Sequence, residues 1–399
     1  MAPKKKEKKN ASKNEKKETD VNKEVKKKSN FVMQENLRRK FEAYRRATRI
    51  KSLNESSAYG MNADVTGQIF GDWQFKYKYS QRERFLNKYN HYKTNIQGLD
   101  IHYMRVVPEN VDNVQVYPLL LLHGWPSSVR DFYDMIPILT NAPVKPGLTT
   151  YQIAIIMRNL MERIGHQQFY VHGGDLGHTI GSHMATIFPK QVLGFHTTTP
   201  VNLSKLAQLA LVLGSVSPSL VANDLADKIY PISDKLQYYI EELGYLHLQS
   251  TKPDTLALQD SPLGLAVYII EKYLLFTNPA HKEAFTGSFT PFNSTDLLDN
   301  VLLYWSTESI TTSLRLYKET VSNYNMEETL ARIPTKVPTW GMRTKHDLMH
   351  QPDFILRWKY SNLLGITNLD SGGHFIAFEN PEEVAKDLYR AVRRFLKRK

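Results

Sequence analysis

One acidic residue stands in a setting made for chemistry. The segment Gly173-Gly174-Asp175-Leu176-Gly177 lies between a short apolar run, 168–172, and a stretch of helical spacing, 178–189. A sharp strand-to-helix turn leaves little room for Cβ atoms, so small residues are needed around it. Such a turn lifts one side chain above a sheet at the positive end of a helix. It is the position that a serine takes in the G-x-S-x-G elbow. A carboxylate placed there stays ionised and can act as a nucleophile. An acid at a strand-to-helix turn can also be a plain N-cap, so its companions decide between the two.

Three companions fit. His123-Gly124-Trp125-Pro126 follows an earlier apolar run ending at Leu122. In this arrangement the amides of Trp125 and Leu176 would form an oxyanion hole. Lys345-His346-Asp347-Leu348 and Gly372-Gly373-His374-Phe375 follow two later strand-like runs, so Asp175, Asp347 and His374 occur in the order nucleophile, acid, histidine. Asp347 can instead be read as a helix N-terminal residue, and His123 as a residue that shapes its loop. His172 and His178 flank the turn, but their spacing and the missing third ligand argue against zinc.

The elements that would position these residues follow from periodicity. Residues 92–106 read as a hairpin turning near Gly98. Residues 117–122 and 168–172 are continuous apolar runs, as expected of strands buried on both faces. Residues 336–341 and 364–369 are strand-like; 31–50, 150–164, 178–189, 353–359 and 381–397 have helical spacing. Strand and helix alternate on both sides of a mostly helical stretch, 201–330. The expected fold is α/β, a doubly wound and mostly parallel sheet with a helical insertion. The expected organisation is a Lys-rich disordered tail (1–30), a helical remnant (31–90), a first core part (91–200), a helical cap (201–330) and a second core part (331–399).

Composition removes several alternatives. The chain has no cysteine, which excludes disulfides and Cys-ligated metals. Its net charge is +12, but residues 1–30 hold twelve Lys against five acids. That is a basic tail on an ordinary domain, read as solubilising, and no nucleic-acid partner is expected. No apolar run is long enough to span a bilayer.

Together these motifs resemble the microsomal epoxide hydrolases, an α/β-hydrolase-fold family, in particular its insect juvenile-hormone type. The resemblance runs from about residue 83 onward. It also rests on Thr94-Asn95-Ile96-Gln97-Gly98-Leu99-Asp100-Ile101-His102, Thr251-Lys252-Pro253-Asp254-Thr255, Tyr304-Trp305 and Gly373-His374-Phe375-Ile376-Ala377-Phe378-Glu379. It implies that Asp175 attacks an epoxide carbon and forms an ester. Tyr245 and Tyr317, matched through Gly244-Tyr245-Leu246-His247 and Arg315-Leu316-Tyr317-Lys318-Glu319, would protonate the epoxide oxygen. His374, oriented by Asp347, would then activate water against the ester carbonyl. The product would be a vicinal diol, with no cofactor. The residue types suit this chemistry. A serine would leave a stable ether, whereas a carboxylate creates the carbonyl that an oxyanion hole serves. Haloalkane dehalogenases also use Asp, but the tyrosine matches and Trp125 count against them.

The resemblance implies a small apolar epoxide as substrate, juvenile hormone or a xenobiotic, and an endoplasmic-reticulum location with peripheral membrane contact. Without a visible anchor, a cytoplasmic location fits too; oligomeric state is not readable. The chain departs from the family's pattern in two places. Residues 1–70 match it poorly. Between Leu139 and Tyr151 only eleven residues stand where a further strand and its loop belong, a shortfall of roughly 25 residues. Three readings stay open: a working hydrolase whose sheet re-pairs, a ligand-binding relative with slack catalytic geometry, and an unstable, non-functional truncated form.

Overall fold

The computed structural model describes residues 63–107, 116–135, 148–219, 225–278 and 291–397, together with Glu35, 37–42, Met61 and Phe289. Residues 1–54 and 55–399 form separate units. In the first, 37–42 are helical, and Arg38 pairs with Glu35 and Glu42 at 2.8 and 3.2 Å. The expected tail, most of the 31–50 helix and the start of the short stretch after Leu139 lie outside the described residues.

The second unit carries the expected α/β fold. β1 (His91–Ile96) and β2 (Leu99–Met104) form an antiparallel hairpin. Its two turn residues, Gln97 and Gly98, both have positive φ, which matches the right-handed twist of the flanking strands. Five strands form a parallel sheet in sequence order: β3 (Leu119–Leu122), β4 (Phe169–Gly173), β5 (Val192–Thr197), β6 (Thr339–Arg343) and β7 (Leu363–Asn368). β6 begins three residues later than the apolar spacing suggests, because 336–338 form the approach to the sheet and not its ladder. No described helix is long and apolar enough to cross a membrane.

Apolar clusters on the two faces of the sheet explain the unbroken run in β3. Leu120 and Leu122 pack with Ile153, Met157, Val171 and Ile180, which brings in the helices Thr150–Arg163 and Leu176–Ile187. Leu121, pointing the other way, packs with Phe132, Met342, Val384 and Leu388, and so with the helix Pro381–Leu396. Between β5 and β6 the described elements are all helices, including Tyr245–Thr251, Pro262–Leu275, Ser294–Ser306 and Ile310–Ser322.

A re-pairing of the sheet, one of the readings left open, does not occur among the described residues. β3 has β4 as its one neighbour, and the hairpin stays a separate two-stranded sheet. The helix after the short stretch nevertheless starts cleanly. Thr149 and Gln152 form a reciprocal capping box at its N-terminus.

Candidate active site

β4 delivers the chain into the turn predicted from the glycines. Asp175 has φ 53° and ψ −125°, a strained combination for any residue with a side chain. The strain is held by packing. A Cβ at Gly177 would lie 2.1 Å from the Leu122 carbonyl oxygen, so the turn closes directly against the end of β3. The Asp175 N–H donates to Thr199 Oγ1 at 3.1 Å, which ties the turn to the chain leaving β5.

The loop after β3 wraps over the same carboxylate. The Trp125 N–H donates to Asp175 Oδ1 at 2.8 Å, and the Leu176 amide also bonds this side chain. Both expected oxyanion donors are therefore aimed at the group whose carbonyl they would serve. On the other side, His374 Nε2 lies 3.4 Å from Asp175 Oδ2, and His374 Nδ1 lies 2.8 Å from Asp347 Oδ1. Asp347 sits in the loop after β6 and not at a helix start; the next helix begins at Asp353. Its Oδ1 also accepts the Leu348 N–H at 2.7 Å. Asp347 thus reaches the His374 ring directly.

The charges in this line hold one another. Burial alone would lower the His374 imidazole, but hydrogen bonds and charge from Asp175 and Asp347 outweigh it and hold its pKa at about 10. Burial would raise Asp175; the His374 charge and the two amides reverse that and keep its carboxyl below the usual range. These shifts favour an imidazolium at His374 against an ionised Asp175.

The helical stretch places aromatic groups over Trp125. Ring centroids of Tyr245 and Tyr317 lie 6.1 and 5.6 Å from that of Trp125. Burial, followed by the nearby Asp175 charge, pushes both phenols well above their ordinary range. Both are therefore protonated donors. Neither hydroxyl has a hydrogen-bond partner among the described residues, which leaves both available to a ligand oxygen. All seven residues singled out from the sequence converge on this place.

Several neighbours were given no role from the sequence. Tyr268 packs against both Trp125 and Tyr245, and the Lys272 ammonium lies 4.2 Å from the centre of the Tyr245 ring. Ser313 accepts from Trp125 Nε1 at 3.2 Å. Glu379 accepts the Gly373 N–H at 3.1 Å and so braces the turn that carries His374. Helical periodicity marks these residues as packing positions; only the folded chain shows what they pack on. Among the described residues no group of acidic or histidine side chains could hold a metal ion.

Comparison with known proteins agrees with this geometry. A family model described as the epoxide hydrolase N terminus matches residues 23–132. The N-terminal region thus belongs to the family from residue 23, contrary to the poor match expected for 1–70. The chain is 44% identical to a juvenile hormone epoxide hydrolase of Bombyx mori, over 86% of this chain and 80% of that protein. It is 35% identical to epoxide hydrolase 1 of Oryctolagus cuniculus, over 85% and 82%. The silkworm alignment spans 368 positions, yet 86% of 399 residues is about 343. About 25 positions of that relative therefore have no counterpart here, the size of the shortfall inferred from the sequence. The crystal structure of the silkworm enzyme superposes with a TM-score of 0.84 at 41% identity, covering 90% of this chain and 92% of that one. An Aspergillus niger epoxide hydrolase shares the fold, with a TM-score of 0.69 at 22% identity over 91% and 94%. With its Asp175, Asp347 and His374 assembled and these relatives matched over most of their length, the chain belongs to the epoxide hydrolase family.

Proposed function

We propose that this protein opens an apolar epoxide to a vicinal diol through an ester on Asp175, with residues 201–330 acting as the cap over the site. The observation that carries this is the Asp175 carboxylate itself. It is held by the Trp125 and Leu176 amides on one side and the His374–Asp347 pair on the other, beneath two phenols with no hydrogen-bond partner among the described residues. Asp175 attacks one epoxide carbon while Tyr245 and Tyr317 bind the oxygen and supply its proton. An alkoxide is far more basic than a phenolate, so the transfer runs downhill.

The ester has lost the Asp175 charge. His374 is then flanked by Asp347 alone, and its affinity for a proton drops. That change turns an imidazolium into a general base at the moment when water must be activated. The Trp125 and Leu176 amides stabilise the oxyanion that forms on the Asp175 carbonyl. The assembled geometry favours a working enzyme over a ligand-binding relative with slack geometry.

Water attacks the acyl carbon, so the oxygen that enters the diol in the first turnover comes from Asp175. A single turnover in ¹⁸O-water should label Asp175 and leave the diol unlabelled; later turnovers should label the diol. Label in the diol on the first turnover would overturn the ester mechanism. Juvenile hormone, for which the insect relatives are named, is the proposed substrate, and endoplasmic-reticulum membranes the proposed location. Comparing kcat/KM for juvenile hormone with that for a small aryl epoxide tests the first. Fractionation of cells expressing the full chain tests the second.

A further inference from the structure

A small cavity of about 30 Å³ adjoins Asp175 and His374, with Ser127, Asp131, His172 and Thr198 among its walls. That is room for a water molecule with several polar partners. One wall leads away from the site. His172 is buried, and its Nδ1 lies 2.7 Å from Nδ1 of the equally buried His196. His196 Nε2 lies 3.1 Å from Asp387 Oδ2. Asp387 accepts in turn from Thr367 Oγ1 at 2.5 Å and from Arg390 at 2.9 Å, and the Arg390 side chain is 53% exposed.

The tautomers follow from the last member. Asp387 accepts, so His196 carries its proton on Nε2 and accepts at Nδ1. His172 must then donate from Nδ1, which leaves its Nε2 a bare acceptor with no protein partner among the described residues. A proton taken at that nitrogen would displace one from Nδ1 to His196, and another from His196 to Asp387. Nothing in the packing of two buried histidines requires this alignment, and the Asp175 mechanism makes no use of it.

We propose that His172, His196 and Asp387 form a proton path that serves the ester-hydrolysis step, taking up the proton that His374 must shed and holding it on the Asp387 carboxylate. This rests on the Asp175 ester reading. Ring opening forms the Asp175 oxygen–carbon bond, breaks the epoxide carbon–oxygen bond and moves one tyrosine proton to the freed oxygen. His374 then passes its proton through cavity water to His172, and the relay leaves one proton on the Asp387 carboxylate. Water adds to the acyl carbon, giving a proton to His374; the acyl–oxygen bond breaks, and that proton goes to the departing diol oxygen. The regenerated carboxylic acid returns its proton to His374. As the diol leaves, the proton on Asp387 passes back along the path to the site water, which restores both tautomers, and the tyrosinate takes one proton from that water. The cycle balances with no net proton gained or lost. Burial holds His172 well below its ordinary pKa, so it passes a proton on without keeping it.

The test is a rapid-quench study of the full chain with styrene oxide, reading the Asp175 ester by intact mass. Two variants, His172→Gln and Asp387→Asn, carry it, so that failure of one to fold leaves the other. Both should form the ester at close to the wild-type rate and break it down at least about tenfold more slowly. The breakdown step should also gain a larger solvent deuterium effect. A folded variant that breaks down its ester at the wild-type rate would overturn the path. Equal slowing of both half-reactions would mean a merely structural role and would overturn it too. If wild-type protein turns over with no ester at Asp175, it is the mechanism beneath that fails.

Discussion

At the scale of single residues, the proposed mechanism turns on one charge changing partner count. His374 lies between Asp175 and Asp347 at rest and, on that mechanism, between Asp347 and an ester after ring opening. Ester breakdown should therefore rise with pH as His374 in the ester form loses its proton, at a pKa below the resting value of about 10. Stopped-flow breakdown rates between about pH 5 and about pH 9 check this, since histidine is the group expected to titrate there. A flat profile would remove His374 from the base role. Asp175→Asn should lose turnover by at least about 10⁴-fold while still binding an epoxide, and His374→Gln should accumulate the ester. Intact mass and equilibrium binding read these outcomes.

At the scale of elements, the glycines are as decisive as the acids. A Cβ at Gly177 would meet the Leu122 carbonyl oxygen at 2.1 Å, and one at Gly124 would meet Asp175 Cβ at 2.4 Å. Both contacts are with groups that cannot yield without moving the elbow. Gly177→Ala should cost folding stability, about 1–3 kcal/mol by thermal melting. Gly124→Ala should instead spare the fold better than the rate, because its clash falls on the reacting carboxylate; a variant with wild-type kcat would contradict this. These spacings were legible beforehand. Glycine around an acid between an apolar run and a helical repeat identified the elbow, and the order Asp175, Asp347, His374 identified its partners. Thr199 and Lys272 were not legible, because each acts through a contact made across the fold; Glu379 stood in the family motif, but its bond to the Gly373 N–H shows only in the folded turn. Tyr245 and Tyr317 came from family likeness alone, since nothing in a helical repeat distinguishes a catalytic tyrosine from a packing one.

At the scale of the whole chain, a buried charge cluster joins segments far apart in sequence. Arg82 and Arg130 both contact Asp299, which is fully buried and also accepts from Tyr77 at 2.7 Å. Arg130 further pairs with Asp296 at 2.7 Å. This cluster ties the N-terminal part of the second unit to the helix Ser294–Ser306. Removing one member strands the others in a low-dielectric place. Asp299→Ala should destabilise the fold by about 3–5 kcal/mol in chemical denaturation; a change under about 1 kcal/mol would mean that water reaches the cluster. The sequence is short by about one strand, and of the readings left open a re-paired sheet is not what the described residues show: β3 keeps β4 as its one neighbour. Register explains why. β4 fixes β3 through four parallel pairs, and the elbow packs on the end of β3, so the catalytic edge is set from the side that is complete.

The backbone of the histidine loop gives this molecule a built-in timer. The His374 N–H donates at 2.7 Å to the carbonyl of Phe276, the residue that ends the helix Pro262–Leu275. That amide hydrogen can exchange with deuterium only while the contact is broken. Its exchange rate therefore counts how often the helical stretch lifts from the turn carrying the base, and a bound ligand that spans the two should slow the count.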